Sequence, residues 1–453
     1  MKPRKSGWEV YTREEIEKFA EDYKEFMKNA KTEREVVEYL VEYAKKRGFK
    51  DIKEVDKLKP GDKVYSVFKG KTAIFSVIGK KPLRESLRII AAHGDAPRLD
   101  PKPVPLLEDK DAQLAILSLG YYGGVVPYQW VNIPLEIRGI VATKDGVKKV
   151  RITNLIISDL LPHLSRKRFD ERKGASIVKG EELKVLLANT FVKKEKDKRS
   201  WKEIVLNYLK EKYGIEEEDL VSADLEVVPA LDPIDVGVDK SMIAAYGQDD
   251  RVCVYTGFRA LVDAKEPEYT SIFWVVDKEE IGSETNTSAQ SEFFKYFVSK
   301  LLELTEGFSE LALRETLLNT KAISADVGAV VNPAFKGGLY DIQNFAKMGN
   351  GVILEKYLSA AGKVAANEAH AEFVAWIRKI LDERNIPWQP ALLVSKADRS
   401  LGGGGTISKF MARLGMDVVD MGVGLLGMHS PYEISSKADV YATYQAYKAF
   451  FEA

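Results

Sequence analysis

The chain has 453 residues, 45% hydrophobic and 30% charged, with 68 Lys and Arg against 68 Asp and Glu. That length points to two or three domains, and the charge balance disfavours a chain built to grip nucleic acid or an anionic membrane. One cysteine, Cys253, excludes internal disulfides and Cys-rich metal sites, and no apolar run reaches the ~20 residues of a membrane span. The opening MKPRKSGWEVYTREE has basic residues but no apolar stretch behind them, unlike a secretory signal. A cytoplasmic, globular protein with neither nucleic-acid nor membrane partners is expected.

In chain order, Thr12 with Glu15 is a capping box ahead of Ile16, Phe19, Ala20, Tyr23, Phe26 and Met27, which recur at helical spacing. Thr32 with Glu35 repeats the signal before a second helix that Gly48 closes. KVYSVFKGKTAIFSVIG, from Lys63, reads as two strands with a turn near Gly70. Leu87–Ala92 is a short apolar run typical of a strand covered on both faces. Similar runs stand at 271–277, 321–326, 391–398 and 416–422, with helical stretches around 287–304 and 364–383. Strands alternating with helices predict an α/β fold, a central sheet with helices on both sides.

Residues 99–237 differ in character. Alternating polarity over 131–152 with an Asp145-Gly146 turn predicts a hairpin, 180–214 reads as a charged helical stretch, and ADLEVVPA as a strand. The expectation is a mostly β domain at 99–237, inserted into a discontinuous one comprising 1–98 and 238–453.

The four histidines are His93, His163, His370 and His429. His93 ends an apolar strand, where ligand sites in open α/β sheets lie, and Asp95 stands where it can accept a hydrogen bond from the imidazole and orient it. Asp249 and Asp250 precede a helix-like run, Glu279 and Glu280 follow IFWVVDK, Asp326 follows AIS, and His429 follows GVGLLGM. Each alone reads as an ordinary surface group. Together, imidazoles and carboxylates converging on one sheet edge suit divalent cations. A two-metal site needs a bridging carboxylate, a histidine and a carboxylate for each ion, and a further unligated carboxylate as base. Adjacent Glu279 and Glu280 allow that division of labour.

The motifs HGDAPRLD, PHL, VGVDKSMIAAYGQDDR, DKEEIGS, ISADVGAVVNP, GGGGT and GMHSPYE resemble, in order, those of the aspartyl aminopeptidase-like family of dinuclear zinc aminopeptidases, which form tetrahedral dodecamers. The resemblance implies a zinc-peptidase-like mixed central sheet, two divalent ions per subunit (Zn²⁺, with Co²⁺ or Mn²⁺ as substitutes), peptide substrates and a large homo-oligomer built through the inserted domain. It implies Asp249 as bridging ligand, Glu280 and His429 completing one ion, His93 and Asp326 the other, Glu279 as general base and Asp95 as orienting acid. His163 is similar to a histidine lent to a neighbouring subunit's site; His370 has no counterpart and reads as a surface or helix-face residue. HGDAP in place of HTDSP, Asp250-Arg251 in place of Asn and an apolar residue, and Ser400–Thr406 in place of a Cys-Gly-rich stretch leave acidic and neutral N-terminal residues both open as substrates. Lys347 and Lys396 are candidates for meeting an acidic side chain. A two-metal carboxypeptidase or deacylase and a non-catalytic assembly protein are the alternatives; an intact Glu279 argues against the last.

Overall fold

A computed structural model describes residues 5–194, 198–336, 339–358, 363, 366–393 and 405–453. The chain divides into two compact units, one comprising Met1–Asp95, Pro233–Met428 and Tyr432–Ala453, the other Ala96–Asp232 and His429–Pro431.

The first unit is built on a nine-stranded mixed sheet. Its centre is four parallel strands in the order Thr270–Val276, Leu87–His93, Lys321–Ala325 and Asp417–Gly422. The hairpin of Lys63–Phe68 with Thr72–Val77 extends one side antiparallel, and Val352–Glu355 the other. The central strands are apolar on both faces because both are covered. Ile90, Ala92, Phe273, Val275, Ile323 and Val419 point into one core, Ile89, Ala91, Ile272, Trp274, Ala322 and Val418 into the other. Helices cover each. Arg13–Asn29, Glu33–Lys46, Gln248–Asp263, Ala371–Glu383 and Lys437–Phe451 pack on the first core, Phe293–Thr305 and Glu310–Leu318 on the second.

The first two helices begin as the capping pattern requires. Thr12 and Thr32 accept from the N–H groups of Glu15 and Glu35, whose carboxylates accept from the cap N–H groups in return. Helices elsewhere are shorter than expected, starting at Phe293 and Ala371. The strand expected at 391–398 is displaced. Trp388–Pro390 forms the sheet edge instead, residues 391–393 are irregular, and the remainder lies outside the described residues.

The second unit is a closed six-stranded barrel of Arg98–Asp109, Leu114–Tyr122, Leu135–Thr143, Gly146–Ile157, Lys184–Ala188 and Ala223–Pro229. The expected hairpin turns at Lys144-Asp145, since Thr143 pairs with Gly146. The helix expected over 180–214 is confined to Lys202–Tyr213; Lys184–Ala188 is a barrel strand, because Leu183 and Val185 gain full burial there and pairing outweighs helix propensity. Among the described residues no helix is long and apolar enough to cross a membrane.

Candidate metal centre

Parallel pairing sets the site. Val276 lies opposite His93, and Ala91 opposite Ser324, so the three neighbouring strands end at one edge of the sheet. His93 is the last residue of its strand, Asp326 follows Ala325, and Glu279 and Glu280 open a short 3₁₀ turn after Val276. Asp249 stands in the first turn of Gln248–Asp263, where the backbone leaves helical geometry (φ −79°, ψ 107°) and the Asp249–Asp250 peptide is cis. His429 occupies the turn between Gly424–Leu426 and Glu433–Ser436, at φ 66°. The close approach of these backbones demands Gly422, since a Cβ there would lie 1.8 Å from the Asp326 carbonyl oxygen.

The side chains form three overlapping donor groups: His93, Asp249 and Asp326; His93, Glu279 and Glu280; Asp249, Glu280 and His429. Within each, the potential ligand atoms all lie within 4.8 Å of one another. His93 is oriented from behind. Its Nδ1 faces the Asp95 carbonyl oxygen at 3.0 Å and the Asp95 Oδ1 at 3.5 Å. Nε2 is thereby directed at Asp249 Oδ1 (3.3 Å), with Glu279 Oε2 at 3.9 Å. The Asp95 carboxylate also accepts the backbone N–H groups of Glu279 (3.1 Å) and Glu280 (3.2 Å), one on each oxygen.

The electrostatics fit a cation. Burial works against a charged His93, but Asp249, Asp95 and Glu279 outweigh it and hold the imidazole well above its ordinary range. Asp326 is pushed up by burial first and then by the negative charges of Asp250, Glu279 and Asp249. Oxygen-rich, mutually repelling donors with two imidazoles, His93 and Asp249 buried and the others half-buried, are the ligand chemistry of a divalent ion, which would relieve that repulsion.

Other expected residues lie elsewhere. His163 is exposed on the Pro162–Glu171 helix, and His370 is exposed at the N-cap of Ala371–Glu383. Lys347 is exposed, its backbone N–H donating to Gln389 Oε1 and its carbonyl accepting from Gln389 Nε2. No ion pair joins its ammonium to the donor groups among the described residues. Lys396 and most of Ser400–Thr406 lie outside the described residues.

Three residues at the site had no role from sequence. Asp250 Oδ2 accepts from the His93 N–H at 3.3 Å, Arg251 Nε donates to the Gly94 carbonyl at 3.1 Å, and Glu433 Oε2 accepts from the Asp249 N–H at 3.0 Å. Asp250 and Arg251 stood out only as departures from the family pattern. Glu433, inside GMHSPYE, gave the weaker signal of an acid four residues beyond a histidine.

Comparison with known proteins agrees with this chemistry. The family profile described as aminopeptidase I zinc metalloprotease (M18) matches residues 26–451. A probable M18 family aminopeptidase 1 of Thermotoga maritima is 45% identical over 458 residues, covering 99% of each chain. Its counterpart in Borreliella afzelii is 44% identical over 448 residues, covering 97% of this chain and 96% of the relative. The crystal structure of the Thermotoga maritima M18 aminopeptidase has the same fold, with a TM-score of 0.93 at 44% identity and full coverage of both chains. Matched along nearly its whole length, the chain belongs to the M18 family of zinc metalloaminopeptidases.

Proposed function

We propose that this aminopeptidase releases N-terminal residues from short peptides at a centre for two divalent ions, Zn²⁺ in the first instance and Co²⁺ or Mn²⁺ in substitution. The observation that carries the reading is that the donor groups overlap, with His93, Asp249 and Glu280 each common to two of them. Asp249 would bridge, Glu280 and His429 would hold one ion, and His93 and Asp326 the other. Zinc in such a set would supply polarisation of the scissile carbonyl and would lower the pKa of a water towards ~7.

The protein's own groups do the rest. Asp95 accepts a hydrogen bond from the His93 Nδ1–H, leaving the Nε2 lone pair for a ligand role. Glu279, a member of one donor group but assigned to neither ion, accepts the proton of the attacking water and returns it to the departing amine. His163 and Lys347 belong to the proposal as substrate-side groups, His163 from a neighbouring subunit.

Assembly is the second part. The exposed Leu160, Leu161, Leu164 and Phe169, on and beside the helix that carries His163, offer an apolar face for self-association by the inserted unit. The S. cerevisiae mApe1 structure, 20% identical with a TM-score of 0.74, is a dodecamer. A homo-oligomer of that size, in the cytoplasm, is the proposed working form.

Two measurements test the reading. Elemental analysis should find two zinc equivalents per chain; one equivalent at full activity would dismiss the bridged pair. Unblocked aminoacyl chromogenic substrates should be cleaved and N-acetylated ones not, and a panel of acidic and neutral residues then fixes the preference.

A further inference from the structure

The barrel of the second unit is not filled. It encloses a cavity of about 210 Å³ to which all six strands contribute an apolar side chain, among them Leu106, Leu117, Ile137, Val150, Leu187 and Leu225. Ile137 faces Ile152 and Gly139 faces Val150 across one strand pair, so these positions share the inward parity. The Lys202–Tyr213 helix adds Val205 and Leu209. Small barrels normally fill their interiors with side chains or hold one small ligand. Here Leu187, Leu225, Ile152 and Val205 stay only half-buried although they point inward. Gly139, at an inward position between Ile137 and Val141, contributes no side chain; a Cβ there would meet the Asp224 carbonyl oxygen at 2.0 Å.

Part of the cavity wall is exposed, at Lys102 and Pro103 and at Val221. The Arg98–Asp109 strand loses register between Pro101 and Leu106, where Pro101, Pro103 and Pro105 have no N–H to donate to a ladder. Lys102 lies in this segment, exposed, and among the described residues is the only charged one lining the cavity. No carboxylate pairs with it among the described residues.

We infer that the barrel binds a small carboxylate with an apolar tail, the tail inside the barrel and the carboxylate at Lys102. An apolar cavity of roughly 150 Å³ admits benzene, so this one suits a tail of about six to eight carbons. The site lies wholly within the second unit and does not depend on the metal assignment.

Octanoate is the probe, titrated calorimetrically into the full-length protein, with octanol for comparison. Saturable binding of one octanoate per chain is expected. Val205→Phe, which fills the cavity, should weaken it at least tenfold, and Lys102→Met should weaken octanoate several-fold while leaving octanol unchanged. Intermolecular NOEs from octanoate to the Val150 and Leu209 methyls of the wild type would locate the tail whether or not Val205→Phe folds. Absence of saturable octanoate binding, NOEs confined to other methyls, or Val205→Phe binding as wild type with an unchanged melting temperature would each overturn the proposal. So would octanoate affinity that Lys102→Met does not alter.

Discussion

Two acidic clusters lie along the same central sheet, and they resolve the same physical difficulty differently. At the candidate metal centre, Asp249, Glu279, Glu280 and Asp326 converge with His93 and His429, the potential ligand atoms of each donor group lying within 4.8 Å of one another. In the second cluster, Glu355 pairs in register with Asp420, both buried, on the strands Val352–Glu355 and Asp417–Gly422. There Thr406 Oγ1 donates to Asp420 Oδ1 at 2.6 Å, with Ser408 at 2.7 Å and Ser324 at 3.3 Å from the same hydroxyl. Burial first, then the charge of Asp420, pushes Glu355 up to about 8, so at neutral pH it keeps its proton. One cluster would relieve its charge with a cation, the other with a proton. The presence of imidazole among the converging carboxylates separates a candidate ligand set from a merely buried acid pair.

Substitutions should break the clusters in different ways. Glu279→Gln is expected to lower kcat by roughly 10²–10⁴-fold, the usual share of a general base, with zinc content unchanged; Glu280→Ala should instead lose bound zinc, read by elemental analysis. If both lose metal equally, the distinction between base and ligand collapses. Asp95→Asn keeps the size but replaces one of the two accepting oxygens with a donor. Loss of such a supporting contact costs about 10–100-fold in activity or metal affinity, measurable as kcat against zinc concentration.

The second cluster should affect stability alone. A carboxyl raised by folding is protonated in the native state, so its contribution is fully present below its ordinary 4.5 and is lost as pH rises through about 8. Glu355→Gln should therefore flatten the decline in stability across that window, by at most about 1.4 kcal/mol per pH unit, as followed by denaturant unfolding between pH 5 and pH 8. Thr406→Val, leaving Asp420 without its closest donor, should cost about 1–3 kcal/mol. Neither variant should change metal content; a change in either would join the two clusters into one functional unit.

The contrast also explains what could be read before the fold was known. His93, Asp249, Asp326 and the Glu279–Glu280 pair were legible because each follows an apolar run or precedes a helix, positions that place chemistry at a sheet edge. Asp420 belongs to a run of the same kind, MDVVDMG, yet nothing local tells that its carboxylate meets a hydroxyl from residue 406. That contact joins a strand to an irregular residue 14 positions earlier, which no periodicity marks. Glu433 and Arg251 escaped for a related reason: they act on backbone atoms of Asp249 and Gly94, and backbone partners leave no mark in residue identity. In the inserted unit, Lys and Glu around 180–186 mimic a helix surface, whereas barrel closure makes 184–188 a strand whose alternate residues face inward.

The two hydrogen bonds from the Glu279–Glu280 backbone to a single carboxylate have a consequence for how the enzyme can vary. Because Asp95 grips the main chain at both residues and also faces the His93 ring, the proposed base, the proposed ligand and the imidazole are fastened to one post. A displacement of that post shifts all three together, so the spacing between base and donors is preserved through motions that would otherwise misalign them. Adjustment of the reaction centre then falls to the side of the site where the peptide enters, and relatives can diverge there without retuning the chemistry.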